Sequence, residues 1–229
     1  MEPVRDSLST VGKPDIALDG SLYLHELAHR TANDLAVACA EVHLAGRHVS
    51  PGASRDRLST TISRLQSLTA IQRLLLPPRC SEINLAASLL QLCHHQAHAR
   101  FTELGACVRC HVVDARVPSA QGWSLLVIVS ELLTNAARHA FDAPGGMVDV
   151  QLTHDDSEVV CIVQDNGVGL KLPRQASGRG SAIVVDLAHR AGLKINLSDC
   201  TTGCAFELRL AVDQPRAGLT PNTAVASSD

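Results

Sequence analysis

The sequence predicts an α+β protein: an antiparallel helical hairpin first, then a mixed sheet with helices packed on it. Three observations carry this expectation. Two runs with apolar residues at helical spacing lie before residue 77, split by a turn and stopped by two prolines. From residue 80 the texture changes, and helical runs alternate with runs near period two. Two of the period-two runs stand back to back and end in a glycine-bearing loop.

The first helix is expected over about 20–48, with Leu24, Ala28, Thr31, Leu35, Ala38, Val42 and Ala45 forming its apolar rhythm. Beside that rhythm runs a polar stripe of Glu26, His29 and Asn33. "SPGAS" (50–54) breaks the helix at Pro51 and Gly52. The second helix, about 55–76, carries Leu58, Ile62, Leu65, Leu68, Ile71 and Leu75 at the same spacing, and Pro77–Pro78 ends it. A lone hairpin cannot bury both apolar faces. Either two copies pair as a four-helix bundle, or the hairpin folds back on the rest of the chain; the homodimer is the expectation.

Further on, helices are expected at 83–101, 122–141 and 180–191, and strands at 106–113, 193–199 and 204–210. "GGMVDVQLTHDDSEVVCIVQDNG" (145–167) reads as two strands joined at "HDDS". Residues 1–18 read as a loose leader. The tail 214–229 has too little apolar content to order itself. The expected division is a hairpin over 19–78, a sheet-bearing domain over 79–213 and the disordered tail.

At 229 residues the chain has room for one large domain or two small ones. Hydrophobic residues make up 45% and aromatics only 2%, so Leu, Val, Ile and Ala must fill the core. A formal net charge of -3 gives no bulk electrostatic case for nucleic acid. No apolar run reaches the roughly 18 residues of a membrane span. The polar, acidic start predicts no secretory signal. A cytoplasmic protein is expected, with most of its eight cysteines acting as small core hydrophobes.

Three segments carry candidate chemistry. In "SELLTNAARHAF" (130–141), Glu131, Asn135 and Arg138 fall at i, i+4 and i+7 and share one helical face. Leu132, Leu133, Ala136 and Ala140 point elsewhere, into the core. Glu and Asn oxygens suit a hydrated Mg²⁺, and an arginine suits phosphate. In "VVCIVQDNGVGL" (159–170), an apolar strand delivers Asp165 into a loop holding Gly167 and Gly169. A carboxylate there can accept from an exocyclic amine such as adenine's, and glycines let backbone lie beside a flat ligand. In "SGRGSAIVVDLAHRAG" (177–192), Gly178 and Gly180 precede an apolar helix, whose N-terminus favours phosphate. This is neither the dinucleotide fingerprint nor a Walker loop.

In this order and spacing, the three segments resemble the ATP-binding domain of histidine kinases, shared in outline with DNA gyrase B, Hsp90 and MutL. "SELLTNAARHAF" is similar to the family's N box, "DNGVG" to its first glycine box and "GRG" to its second. "TTGCAFELRL" (201–210) is similar to its final Gly-x-x-Phe strand. The resemblance covers about 80–212 and implies an α/β sandwich of that type. It implies that Asn135 and Glu131 serve Mg²⁺, that Asp165 contacts adenine, that Gly167 and Gly169 line the base pocket, and that Gly178 and Gly180 flank the triphosphate, with Arg138 near phosphate.

The same resemblance extends to "HELAHRTANDLAVA" (25–38), similar to the phosphoacceptor box of one histidine kinase subclass, His-Arg-x-x-Asn after an acidic residue. It implies that His29 accepts the γ-phosphoryl group of ATP, with Glu26 or Asn33 orienting the ring. His25 is the nearest competitor but lacks the Arg-x-x-Asn context. The subclass usually has lysine where Ala32 stands, leucine where Ser181 stands and lysine where Arg138 stands. The implied partners are a second copy, a response-regulator receiver domain and a separate sensory protein. Two other functions stay open at this point: a histidine phosphotransfer protein with a vestigial ATP domain, and a serine kinase of the anti-sigma-factor type.

Two further patterns are set aside. "CVRCH" (107–111) spells the attachment motif of c-type haem, but it reads as a strand, which turns Cys107 and Cys110 to opposite faces. His94 and His98, at i and i+4, lack a convincing third metal ligand and read as a polar helix face.

Overall fold

The structure, a computed structural model, describes residues 16–47, 52–154, 157–169, 179–198 and 203–211, without the side chains of 16–29 and 179–183. The tail expected at 214–229 and most of the expected leader lie outside the described residues.

Helix α1 spans Ile16–Gly46 and α2 spans Ala53–Leu74, and the two pack on each other. Asp56 in the first turn of α2 and Arg73 in its last oppose the helix dipole at the correct ends. The side of α1 that faces α2 differs from the expected stripe. Ala32 and Cys39 are buried, with Leu35 and Ala36 half-buried, whereas Thr31, Ala38, Val42 and Ala45 are exposed. The apolar side of α1 is wider than one neighbour covers, since a single partner helix hides only the strip facing it. Val37 and Leu44 stay 58% and 57% exposed in this one copy.

The other end of the hairpin does fold back on the chain. Ile71 joins the main core with Leu68, Leu74 and Leu75 packed beside it. Trp123 donates its Nε1–H to the carbonyl of Leu75 at 2.9 Å, and Arg64 pairs with Glu103.

The remaining elements form a sandwich. Strand β1 (Glu82–Asn84) pairs antiparallel with β3 (Arg116–Pro118) as a small two-stranded sheet. Asn84 also caps helix α3 (Leu85–Gln96), its side chain accepting from the Ala87 N–H at 2.9 Å. After α3 come a π-helical turn over Ala97–Phe101 and a short 3-10 turn over Thr102–Leu104. The helix expected over 83–101 is thus a strand, a helix and a widened turn. Strands of three residues are too short to show a period in sequence.

Strand β2 (Cys107–Val112), helix α4 (Ser119–His139), the hairpin β4 (Met147–His154) and β5 (Glu158–Asp165), helix α5 (Arg179–Ala191), and strands β6 (Leu193–Ser198) and β7 (Ala205–Ala211) complete the described chain. The five-stranded sheet has the order β2-β4-β5-β7-β6. Only β2 and β4 run parallel, because α4 lies between them in sequence and carries the chain back; the other pairings are antiparallel.

Alternation puts Val148, Val150 and Leu152 of β4, Val159, Cys161 and Val163 of β5, and Leu208 and Leu210 of β7 on the buried face. They meet Leu85, Leu89 and Leu92 of α3 and Leu125, Ile128, Val129 and Leu133 of α4. Each such side chain contributes about 1.5–3 kcal/mol by leaving water. The opposite face is polar, with Arg109 bonded to Asp149, and Arg209 to Glu158 and Glu207. Among the described residues no helix is long and apolar enough to cross a membrane.

Candidate functional site

The alternation along β5 decides where Asp165 points. Val159, Cys161 and Val163 face the helices, so Asp165, next in that series, emerges on the same side at the strand end. Its Oδ1 accepts from the Gly167 N–H at 2.9 Å and from the Cys204 N–H at 3.3 Å. Asp165 is thereby locked to both the loop and the start of β7. Its other oxygen, Oδ2, has no protein donor among the described residues.

The loop after Asp165 is tied down on two more sides. Asn166 exchanges bonds with Met147: its Oδ1 accepts from the Met147 N–H at 2.7 Å, and its own N–H donates to the Met147 carbonyl at 3.1 Å. Val168 donates its N–H to the carbonyl of Ala140, at the end of α4, at 2.8 Å. Gly167 permits this approach, since a Cβ there would lie 2.2 Å from the Ala140 oxygen. Gly203 is required for the same reason on the β7 side: its φ is +81° and a Cβ would lie 2.0 Å from the Asp165 carbonyl oxygen.

Helix α4 forms the facing wall. Leu132, Leu133, Ala136 and Ala140 are buried, as the helical spacing requires. Glu131 and Asn135 are half-buried and Arg138 is exposed, so one face carries all three outward from the core. The Asn135 side chain makes no hydrogen bond among the described residues. Glu131 and Asn135 therefore offer unspent oxygens on one face, a donor set that fits a hydrated Mg²⁺.

Behind this face lies a support that the sequence reading missed. Gln96 is fully buried; its Nε2 donates to Ser130 Oγ at 3.0 Å, and its Oε1 accepts from Arg100 Nε at 2.9 Å. The Arg100 guanidinium is held below its ordinary value by burial and then by the charges of Arg138 and Arg64, with Glu131 opposing. A signal for Gln96 existed: it continues the stripe of Leu85, Leu89 and Leu92, and a carboxamide on such a stripe demands partners. Arg100, which lies in the π-helical turn four residues after Gln96, was not singled out in the sequence.

Gly169, with φ +71°, closes the described part of the loop. Gly180 lies in the first turn of α5, which packs on α4, and Gly178 lies outside the described residues. On the hairpin, Glu26 and His29 sit on α1, with side chains outside the description. Asn33 is exposed, and its Oδ1 accepts from Arg73 Nη2 of α2 at 3.2 Å. Ala32, where the subclass usually has lysine, is buried. Cys107 is exposed and Cys110 faces inward, on opposite sides of β2 as expected. The rings of His94 and His98 meet edge to face at 4.6 Å.

A separate cleft lies between α1, α2 and α3, with Cys39, Arg73 and His95 on its walls. The His95 imidazole is held below its ordinary value by burial and by His94 and His98 beside it.

Comparison with known proteins places this geometry. Residues 96–203, just under half of the chain, match the model of the histidine kinase-like ATPase domain. The chain is 28% identical over 215 residues to blue-light-activated histidine kinase 2 of Erythrobacter litoralis, covering 89% of this chain and 61% of that protein. It is 26% identical over 176 residues to the sensor histidine kinase PdtaS of Mycolicibacterium smegmatis, covering 73% of this chain and 34% of that protein. The chain thus spans about a third to three fifths of the length of these curated relatives. In fold it is similar to the histidine kinase domain of the Erythrobacter litoralis EL346 blue-light-activated kinase, with a TM-score of 0.55 and 24% identity over 86% of this chain and 94% of that one. The matched segment contains the Glu131–Asn135–Arg138 face, the Asp165 anchor and the glycine that seats it, and over that segment the chain is similar to the histidine kinase-like ATPase domain.

Proposed function

We propose that the protein is an ATP-dependent protein-histidine kinase that phosphorylates its own His29 and passes the phosphoryl group to an aspartate of a response-regulator receiver domain. The observation that carries this reading is the Asp165 anchor. Two backbone N–H groups occupy Oδ1, and Oδ2 is left to accept from an exocyclic amine. Adenine presents such an amine. Gly167 and Gly169 leave room for its flat ring.

Across the site, Glu131 and Asn135 would hold Mg²⁺, which when bound offsets charge on the phosphates. Arg138 would meet phosphate, and the turn at Gly178 and Gly180 would bring backbone N–H groups to it. A neutral imidazole nitrogen of His29 would attack the γ-phosphorus while the bond to the β–γ bridging oxygen breaks and ADP leaves. Glu26 or Asn33 would orient the ring. The wide apolar side of α1, with Val37 and Leu44 more than half exposed, supports a homodimeric four-helix bundle. A separate sensory protein would supply the signal.

The test is incubation with Mg²⁺ and γ-labelled ATP, alongside His29→Gln and Asn135→Ala. The expected result is acid-labile, base-stable label on the wild type and none on either variant. ATP binding without label on His29, and phosphoserine on an added partner, would replace this reading with the serine kinase. Absence of both label and ATP binding would leave the phosphotransfer protein, tested with a phosphorylated receiver domain.

A further inference from the structure

Arg73 ties the two helices of the hairpin together at the level of Asn33. It stands in the last turn of α2, and its Nη2 donates to Asn33 Oδ1 of α1 at 3.2 Å, across 40 residues of sequence. Both residues are exposed. Among the described residues no carboxylate pairs with Arg73, and Asn33 is its one side-chain partner. Arg73 also stands on the wall of the cleft of about 510 Å³ between α1, α2 and α3, and none of the residues lining that cleft carries a carboxylate to draw the guanidinium away.

The chemistry of the pair fixes which way round Asn33 sits. A guanidinium only donates, so the amide atom that meets Arg73 is the oxygen, and the NH₂ is turned to the other side. A cation on the oxygen also polarises the amide and strengthens its N–H groups as donors.

The register of α1 brings in His29. The helix runs unbroken through 29–33. His29, Asn33, Ala36 and Ala40 fall at i, i+4, i+7 and i+11, on one side of the helix, and Ala36 and Ala40 line the same cleft as Arg73. His29 is thus placed one turn from Asn33, on the side of α1 that carries the Arg73 contact.

We propose that Arg73 is a positioning residue for phosphoryl transfer, holding Asn33 so that its NH₂ donates to an oxygen of the γ-phosphoryl group as His29 takes it. This rests on the reading of His29 as the acceptor. As the nitrogen–phosphorus bond forms, the bond to the β–γ bridging oxygen breaks, ADP leaves, and the proton on the opposite ring nitrogen passes to solvent. The γ-phosphoryl oxygens carry the charge of that step, and a donor aimed at them lowers its barrier. Asn33 presents a donor, so it does not hold the ring N–H, which is itself a donor. That task falls to Glu26.

The test measures the rate of His29 labelling by γ-labelled ATP with Mg²⁺ in the wild type, Arg73→Gln, Arg73→Lys, Asn33→Ala and the Arg73→Gln/Asn33→Ala double variant. Arg73→Gln should lower the maximal rate by about tenfold or more and leave KM for ATP unchanged. Arg73→Lys should recover part of the loss, because an ammonium also donates. Arg73→Gln should slow the Asn33→Ala protein by less than about twofold, since Arg73 acts through Asn33. An Arg73→Gln rate within about twofold of wild type, or the same slowing with and without Asn33, would overturn the proposal. A second donor separates this from the kinase reading. Phosphoramidate gives its phosphoryl group to histidine with loss of ammonia and needs no nucleotide site. Its labelling of His29, read by peptide mapping against His43, should fall in Arg73→Gln and in Asn33→Ala alike. That contrast without any label from ATP on the wild type would sink the kinase reading alone. Equal phosphoramidate labelling of His29 in all the proteins would sink the Arg73 role and leave the kinase reading in place.

Discussion

Asp165→Asn separates the two jobs of the Asp165 carboxylate. Its Oδ1 accepts from the N–H groups of Gly167 and Cys204, and Oδ2, with no donor among the described residues, is the oxygen proposed to accept from adenine. An asparagine keeps the shape. Its carbonyl oxygen takes the Oδ1 place, because both protein partners there are donors, and this forces its NH₂ into the Oδ2 place. A donor then opposes the exocyclic amine of adenine, which is also a donor. A hydrogen bond to a charged group contributes about 1.5–3 kcal/mol. Losing it weakens ATP binding by about 10- to 150-fold. The fold loses only the charge-assisted part of two backbone bonds, about 1 kcal/mol. At this chain length that lowers Tm by about 2–4 °C. Asp165→Ala differs, because it also strips both N–H groups of their acceptor and costs the fold about 1–3 kcal/mol per group left buried and unpaired. Calorimetric titration with ATP, paired with thermal unfolding, measures both quantities. An Asp165→Asn protein that binds ATP within about twofold of wild type would refute the assigned direction of the carboxylate.

Three other outcomes follow from the same geometry. Gly167→Ala places a methyl 2.2 Å from the Ala140 oxygen, so the Val168–Ala140 bond breaks; ATP affinity should fall, and thermal unfolding should show a loss of at least about 1–3 kcal/mol. His95 is held below its ordinary value by burial and by His94 and His98, with Arg73 also on the cleft wall. Its contribution to stability is therefore present above the unfolded value of about 6.5 and is lost as pH falls through the lower folded value, so denaturation midpoints should decline below about pH 6.5 in wild type and less in His95→Gln. Val37→Asp with Leu44→Asp puts charge on the exposed apolar side of α1; light scattering should read a monomer if that side joins two copies, and an unchanged dimer would show that it does not.

Much of the architecture was legible because its signals are local. Helical spacing and the breaks at Pro51–Gly52 and Pro77–Pro78 located α1 and α2 to within a few residues. Alternation located β4 and β5, and it also aims Asp165, because a side-chain period of two carries to the strand end whatever the strand pairs with. The helical face of Glu131, Asn135 and Arg138 was legible for the same reason.

What depends on neighbours far along the chain was not. Gln96 and Ser130 are separated by 34 residues. The side of α1 that is covered depends on where α2 lies, since the apolar residues of α1 mark more surface than one helix can hide. The packing of α3 on β2 requires β2 to take the sheet edge beneath that helix. Periodicity, motif order and the direction of Asp165 belong to the sequence, because each is a property of a few consecutive residues. Partners, coverage and access belong to the tertiary structure, because each is the distance between two surfaces that the chain brings together only when it folds.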